Sequence, residues 1–275
     1  MPGACGTELW QYLSPRERQR VNVFAKKVGR GINRFEMIGE GDRILIAVSG
    51  GKDSLALSAA LAARRHWVPR RYECLALLID WREFPLPPES LASLSDFYAG
   101  LEIPLKTVQA DMMPASLLKK SRKPFNCYIC SRNRRRILFR EAEKEGISTI
   151  ALGHHLDDIV ETTLLNLCFR GEFSTMMPVQ EFFNGRMRII RPMCEVEERE
   201  IQRLMRHLSL PVCKIDCPRR ETNQRQLLKE MLKVLKRSNK RVKENIYKAP
   251  WNINRDYLPA GGRAAQGGES CATRC

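Results

Sequence analysis

One stretch constrains this chain more than any other: Arg43-Ile-Leu-Ile-Ala-Val-Ser-Gly-Gly-Lys-Asp-Ser-Leu55. Residues 44–48 form a continuous apolar run, β-branched at three of five positions. That is the pattern of a central parallel strand covered on both faces. The run stops at Ser49-Gly50-Gly51-Lys52-Asp53-Ser54, and residues 55–63 then read as a helix. A glycine turn between a buried strand and a helix start is an anion site. Backbone N–H groups converge there, the helix dipole adds partial positive charge, and Lys52 adds a full one. The loop is not the G-x-x-x-x-G-K-S/T nucleotide loop, because the first glycine is missing.

The rest of the chain alternates in the same way. Ser14-Pro15-Arg16-Glu17 has the form of a capping box. Val21, Phe24, Val28, Ile32 and Phe35 then follow at helical spacing, predicting a helix over 14–37 with Gly29 and Gly31 weakening its middle. Its Arg and Lys residues read as a solvated face. Strands are expected at 43–48, 74–79, 105–110, 148–152 and 187–191, with helices at 55–65, 89–101, 137–146, 159–170, 197–208 and 224–237. Residues 171–178 read as a loop, and Cys74 as a core residue. Strands alternating with helices at this spacing predict a parallel α/β sheet. The second strand ends at Asp80, and the fourth runs into Gly153-His154-His155-Leu156-Asp157-Asp158.

Composition narrows the partners. With 47 Lys and Arg against 31 Asp and Glu, the net charge of +16 argues for a polyanion. No apolar run approaches a membrane-spanning length. Met1-Pro2-Gly3-Ala4-Cys5 lacks the basic and apolar regions of a signal peptide, so a reducing cytoplasm is expected. In that setting the ten cysteines point to metal or sulfur chemistry rather than to disulfides. Lys119, Lys120, Arg122, Lys123, Arg132, Arg134, Arg135, Arg136 and Arg140 fall in one acid-free block, read as a helical insertion. Inside it lies Cys127-x-x-Cys130, whose spacing alone suits a zinc site, a redox pair or chance.

The 49–54 loop resembles that of the PP-loop ATP pyrophosphatases, which cut ATP between its α and β phosphates and leave AMP on a substrate oxygen. The series Ser-Gly-Gly-Lys-Asp-Ser, Cys127-x-x-Cys130-Ser-Arg, Gly153-His-His-x-Asp-Asp, Arg191-Pro192 and Cys217 followed by Gln224-Arg-Gln226 is similar to that of the tRNA 2-thiocytidine synthetase family, over residues 36–237. The resemblance implies an α/β fold: a doubly wound parallel five-stranded sheet of the HUP/PP-loop type, with an N-terminal helix, a helical cysteine-bearing insertion and C-terminal helices. The first and fourth strands would lie side by side, so that both loops flank one crevice with Asp80 on its far side.

The same resemblance implies the site. Ser49, Gly50, Gly51, Lys52, Asp53 and Ser54, with Asp80, Gly153 and His154, would hold ATP. Lys52, Asp53 and Asp157 would be catalytic, Asp53 and Asp157 would hold Mg²⁺, and Asp158 would orient the loop. Cys127, Cys130 and Cys217 would hold a 4Fe-4S cluster with one iron lacking a protein ligand. Lys119, Lys120, Arg132, Arg134, Arg135 and Arg136 would contact tRNA, Arg134 alternatively facing the cluster or the adenylate. The expected partners are tRNA and a cysteine desulfurase or other sulfur donor, and the family admits a homodimer.

The family often has Cys-x-x-Cys in the later segment, whereas Lys214 stands here and the extra cysteine is Cys213. A closed site of Cys127, Cys130, Cys213 and Cys217 would instead suit zinc. Cys168 and Cys194 read as packing residues, and Cys271 and Cys275 as free thiols. The competing functions are a tRNA 2-thiouridine synthetase, a lysidine synthetase-like ligase and a non-catalytic RNA-binding protein with structural zinc. The expected division is an N-terminal tail and helix (1–40), a PP-loop domain (41–218, insertion about 112–146), a basic helical segment (219–258) and a disordered tail (259–275).

Overall fold

The apolar run 44–48 becomes strand β1 (Asp42–Val48), and it sits where the pattern placed it, between two parallel neighbours. The computed structural model describes residues 13–113, 127–208, 210–213 and 223–258, and the side chains of Cys127 and Asn223 lie outside that description. On one side β1 pairs with β2 (Tyr72–Trp81), in register Ile44 with Cys74 and Val48 with Leu78. On the other it pairs with β4 (Thr149–Ala151), Ile44 with Thr149. With β3 (Leu105–Ala110), β5 (Val179–Phe182) and β6 (Met187–Ile190), the sheet order is β3-β2-β1-β4-β6-β5. The order reverses between β1 and β4, where an open α/β sheet forms its ligand crevice.

The doubly wound parallel fold is as expected, and its fifth parallel strand is β6. A sixth strand extends it: β5 runs antiparallel to β6, Phe182 opposite Met187. Four residues show too little alternation to be read as a strand, although Asn184-Gly185 is a hairpin signal. At that turn Phe183 and Asn184 take φ +54° and +56°.

The run on β1 is continuous because each face has its own layer. Ile44, Ile46 and Val48 belong to one core with helices α1 (Pro15–Arg34) and α2 (Lys52–Arg65), while Leu45 belongs to another with Ile137, Leu138 and Phe139. Those last three lie on helix α4 (Cys127–Lys144); α3 (Pro88–Gly100) returns the chain between β2 and β3. Helix α2 is buried almost all round, with five alanines among its buried residues, and so lies between the sheet and α1. Truncating Leu61 there would cost roughly 2–5 kcal/mol.

Helix α1 begins as expected. Ser14 N donates to Glu17 Oε2 at 2.8 Å, and Glu17 N donates to Ser14 Oγ at 3.3 Å. Gly29 and Gly31 do not break it. A Cβ on Gly29 would fall 1.7 Å from the Arg64 guanidinium, and one on Gly31 would fall 3.3 Å from Cys194 Sγ. The glycines serve close packing, a tertiary requirement that propensity cannot reveal.

Besides β5 and β6, the helices α5 (Leu156–Arg170), α6 (Glu198–His207) and α7 (Asn223–Ser238) follow the fourth strand. A further helix, α8 (Val242–Lys248), lies within the basic segment expected to be helical, although its own bounds were not placed. Helices α7 and α8 pack on α5, burying Leu228, Leu232 and Tyr247. No helix among the described residues is long and apolar enough to cross a membrane. The tail, 259–275, with Cys271 and Cys275, lies outside the described residues.

Candidate active site

The glycine turn after β1 is built to leave N–H groups open. Gly51 is the N-cap of α2 and has no side chain to cap the first turn. No side chain satisfies the first-turn N–H groups at this N-cap, the condition under which a helix N-terminus suits an anion. Serines fix the turn: Ser54 Oγ donates to Gly51 O at 2.9 Å, and Gly51 N donates to Ser49 Oγ at 3.3 Å. Gly50 takes φ +70°, and its carbonyl accepts from Cys213 N at 2.9 Å. Lys52 Nζ lies 2.9 Å from Asp53 Oδ1 and 3.0 Å from Glu198 Oε1. Burial alone would lower its pKa, but these two carboxylates raise it above the usual lysine value. Glu198 was not identified from sequence; only its place in an acidic run gave any hint of it.

The second loop meets the first backbone to backbone. A Cβ on Gly153 would stand 3.1 Å from Ser54 N and from the Asp53 carbonyl carbon, tighter than an ordinary contact, so glycine lets the two backbones approach closely. His155 then caps α5. Its N–H donates to Asp158 Oδ2 at 3.0 Å, and Asp158 N donates to its Nδ1 at 3.4 Å. Its Nε2 lies 3.5 Å from Asp158 Oδ2 and 3.9 Å from Asp53 Oδ1. His154 is half-buried, with an enclosed Nδ1 that has no hydrogen-bond partner among the described residues. Burial, then the Arg191 charge, push its pKa down to about 4, so it is neutral at pH 7.

The two loops border one crevice of about 310 Å³. Ser49, Asp53, Ser54, Gly153, His154 and Asp158 line it from the two loops, together with Trp81 from β2 and Ser131, Arg134 and Arg135 from α4. Asp80 does not line it. Its buried carboxylate accepts from Leu86 N at 3.0 Å, and its neighbours Ile79 and Trp81 form the wall. Arg134 lies over the Trp81 ring, 5.6 Å from its centre.

Asp157 also turns elsewhere. It accepts from Glu198 N at 2.7 Å and pairs with Lys243 of α8. Burial would raise its pKa, but these partners hold it below the ordinary carboxylate value. Asp158 is the acid of the pair that faces the crevice. Behind it Arg225, from the Gln-Arg-Gln motif, lies 4.0 Å from Asp158 and 3.7 Å from the buried Glu161. The sequence marked that motif without a role. Arg191 is buried, donating to Met177 O and Gln180, and burial brings its pKa down to about 10.

Of the expected cluster ligands, Cys127 and Cys130 stand one turn apart at the start of α4. The Cys130 side chain is half-buried, and the next residue, Ser131, lines the crevice. Cys217 lies outside the described residues, as do Lys119, Lys120, Arg122 and Lys123. Both described ends of the segment carrying Cys217 adjoin the site: Cys213 packs on Gly50, and Arg225 sits by Asp158. Cys213 is buried, its thiol 3.5 Å from Pro211 O. Arg132 and Arg136 are exposed outside the crevice. Cys74 and Cys194 are buried, whereas Cys168 is exposed.

Comparison with known proteins gives a consistent picture. The family model described as PP-loop domain matches residues 21–232. The tRNA-cytidine(32) 2-sulfurtransferase of Geobacter metallireducens is 37% identical over 246 residues, covering 88% of this chain and 94% of the relative. That of Alkalilimnicola ehrlichii is 35% identical over 232 residues, covering 84% and 73%. Among solved structures, the U34-tRNA thiolase NcsA from Methanococcus maripaludis with its 4Fe-4S cluster shares the fold. Its TM-score is 0.68 at 21% identity, covering 84% of this chain and 78% of that one.

Proposed function

The chain belongs to the PP-loop family and, within it, to the tRNA-cytidine(32) 2-sulfurtransferases, and from this premise we propose that it adenylates the C2 carbonyl oxygen of a tRNA cytidine and replaces it with sulfur. The observation that carries the reading is the meeting of the 49–54 and 153–158 loops in one crevice, roofed by Arg134 and Arg135 of the cysteine-bearing helix. The chain is a transferase.

An amide-like carbonyl oxygen is a poor leaving group, and transfer of AMP from ATP makes it a good one. The substrate oxygen bonds to the α-phosphorus, and the bond to pyrophosphate breaks. Charge grows on the departing phosphates. The uncapped N–H groups of α2 and the Lys52 ammonium are set to receive it. Asp53 and Glu198 hold that ammonium charged and aimed along the loop. His154, being neutral, can donate or accept a hydrogen bond without repelling Arg191. Arg134 and Arg135, which line the crevice from α4, hold RNA phosphate or the adenylate.

By their chemistry, the donor types present would suit two bound groups. Mg²⁺ would be held by Asp53 together with Asp158, which faces the crevice where Asp157 was expected, and would neutralise phosphate charge. Asp157 would join only on leaving Lys243. The thiolates of Cys127, Cys130 and Cys217 suit a 4Fe-4S cluster, which would supply an iron position free to carry sulfur.

The test is anaerobic reconstitution of single Ala variants, read by iron content and by nucleoside mass spectrometry of tRNA. Cys127, Cys130 and Cys217 are each required for iron and for 2-thiocytidine, and Cys213 is dispensable for both. Loss of zinc from Cys213→Ala as complete as from Cys127→Ala would sink the sulfur-transfer reading.

A further inference from the structure

A second face of α4 carries a feature the reading above leaves unused. Arg132, Arg136, Arg140 and Lys144 recur every four residues, and all are exposed. They form one basic ridge about 18 Å long at 1.5 Å per residue. Its near end adjoins Ser131, Arg134 and Arg135, which line the crevice. Its far end opens on a separate groove of about 440 Å³.

Arg136, Phe139, Arg140 and Glu143 line that groove from α4, and Phe183 and Arg186 line it from the β5–β6 turn. Glu143 is its one lining carboxylate among the described residues. Phe183 is half-buried, packed edge-on against Phe139 with ring centres 5.2 Å apart. It holds φ +54°, a left-handed backbone that disfavours a large side chain and suits Asn or Gly. Arg186 Nε donates to Phe183 O at 3.3 Å. Beneath the ridge, the buried Glu141 accepts from Arg140 Nε at 3.0 Å and from Lys144 Nζ at 2.9 Å. Burial would raise its pKa, but Lys144, Lys106 and Arg140 push it down to about 2, so it stays an anchor for both cations. Each arginine keeps donors to spare, since a guanidinium has five.

We propose that this groove is a second RNA contact, taking an unpaired nucleotide of the tRNA with its base against Phe183 and its phosphates on Arg186, Arg140 and Arg136, while the ridge leads the strand to the crevice. An aromatic ring set among arginines is the chemistry that binds single-stranded RNA: the ring stacks on any base, and the cations track the backbone. The proposal rests on the tRNA reading above, and it adds a contact some distance from the reacting base. None of these groove residues except the arginines of α4 was marked by sequence, because a hairpin tip and a helix 40 residues earlier meet only in the fold.

The test measures tRNA affinity by fluorescence anisotropy against salt for the full chain, Phe183→Asn and Arg186→Glu, with melting temperature and ATP affinity alongside. Asn accepts the left-handed backbone, so the turn is kept. Phe183→Asn weakens tRNA binding about 5- to 100-fold, the range of one lost base stack. Arg186→Glu weakens it about 10-fold and lowers the salt slope by roughly 0.7 or more. ATP affinity hardly moves in either, and melting temperature falls only modestly in Phe183→Asn, which loses the Phe139 contact, while both variants stay folded. Wild-type affinity and slope in both folded variants would overturn the groove and leave the tRNA reading standing. Lost thiolation with unchanged tRNA affinity would assign the groove to a protein partner and also overturn it. Failure of the unaltered chain to bind tRNA would bring down both.

Discussion

The two loops of the crevice are the same device used in opposite ways. Each joins the carboxyl end of a central strand to the N-terminus of a helix, β1 to α2 and β4 to α5. The first ends on Gly51, which offers no side chain, so the N–H groups of α2 stay open. The second ends on His155, whose ring and the Asp158 carboxylate close the N-terminus of α5 reciprocally. A helix N-terminus binds an anion only if the chain does not satisfy it first. The first loop is therefore suited to phosphate through its backbone. The second presents side chains, His154 and Asp158, to whatever the first holds.

Removing the charge from the open loop has the largest effect. Lys52→Ala lowers the rate of tRNA-dependent pyrophosphate release by about 10²- to 10³-fold, the usual loss for one charge-stabilising donor. Circular dichroism and melting temperature stay close to those of the unaltered chain. A rate within twofold would show that the open N-terminus of α2 is not where charge develops.

Turning the first loop into the second comes next. Gly51 has an extended backbone, φ −79° and ψ 161°, which serine adopts freely. Gly51→Ser supplies the missing cap, so stability rises by about a few tenths of a kcal/mol at most while ATP affinity, by calorimetry, falls about 10-fold. Equal ATP affinity in the capped variant would break the comparison.

The closed loop gives the smallest effect, one of pH. His154 is depressed from its ordinary 6.5 to about 4, so between those values the unfolded chain binds more protons than the folded one. Stability therefore falls as pH drops through that window and is fully present above it. Urea midpoints measured from pH 7 to pH 4.5 should fall less steeply in His154→Gln than in the unaltered chain. An unchanged slope would mean that His154 is not held neutral by its surroundings.

Much of this site was legible because its signals are local. The glycine turn, the capping box at Ser14 and the strand–helix alternation each depend on residues within a few positions of one another. Placing β1 beside β4 followed from the resemblance, and the crevice followed from that placement. The edge strand β5 was missed because four residues do not reveal a period. Glu198 and Lys243 were missed because a place in an acidic run or a basic segment does not by itself separate a site residue from a solvated charge.

The sequence by itself determined that there is a glycine and serine turn of a kind suited to an anion, where it lies and which residue types equip it. Backbone geometry at a strand–helix junction depends on the glycines and serines that make it. Only the tertiary structure decided which way the acids point. Asp157 and Asp158 are adjacent and chemically alike. One is drawn behind the site by a lysine 86 residues away and by the N-terminus of α6, and the other is left facing the crevice. A carboxylate follows the nearest unmatched positive charge, and in a folded chain that charge comes from whichever element packs beside it.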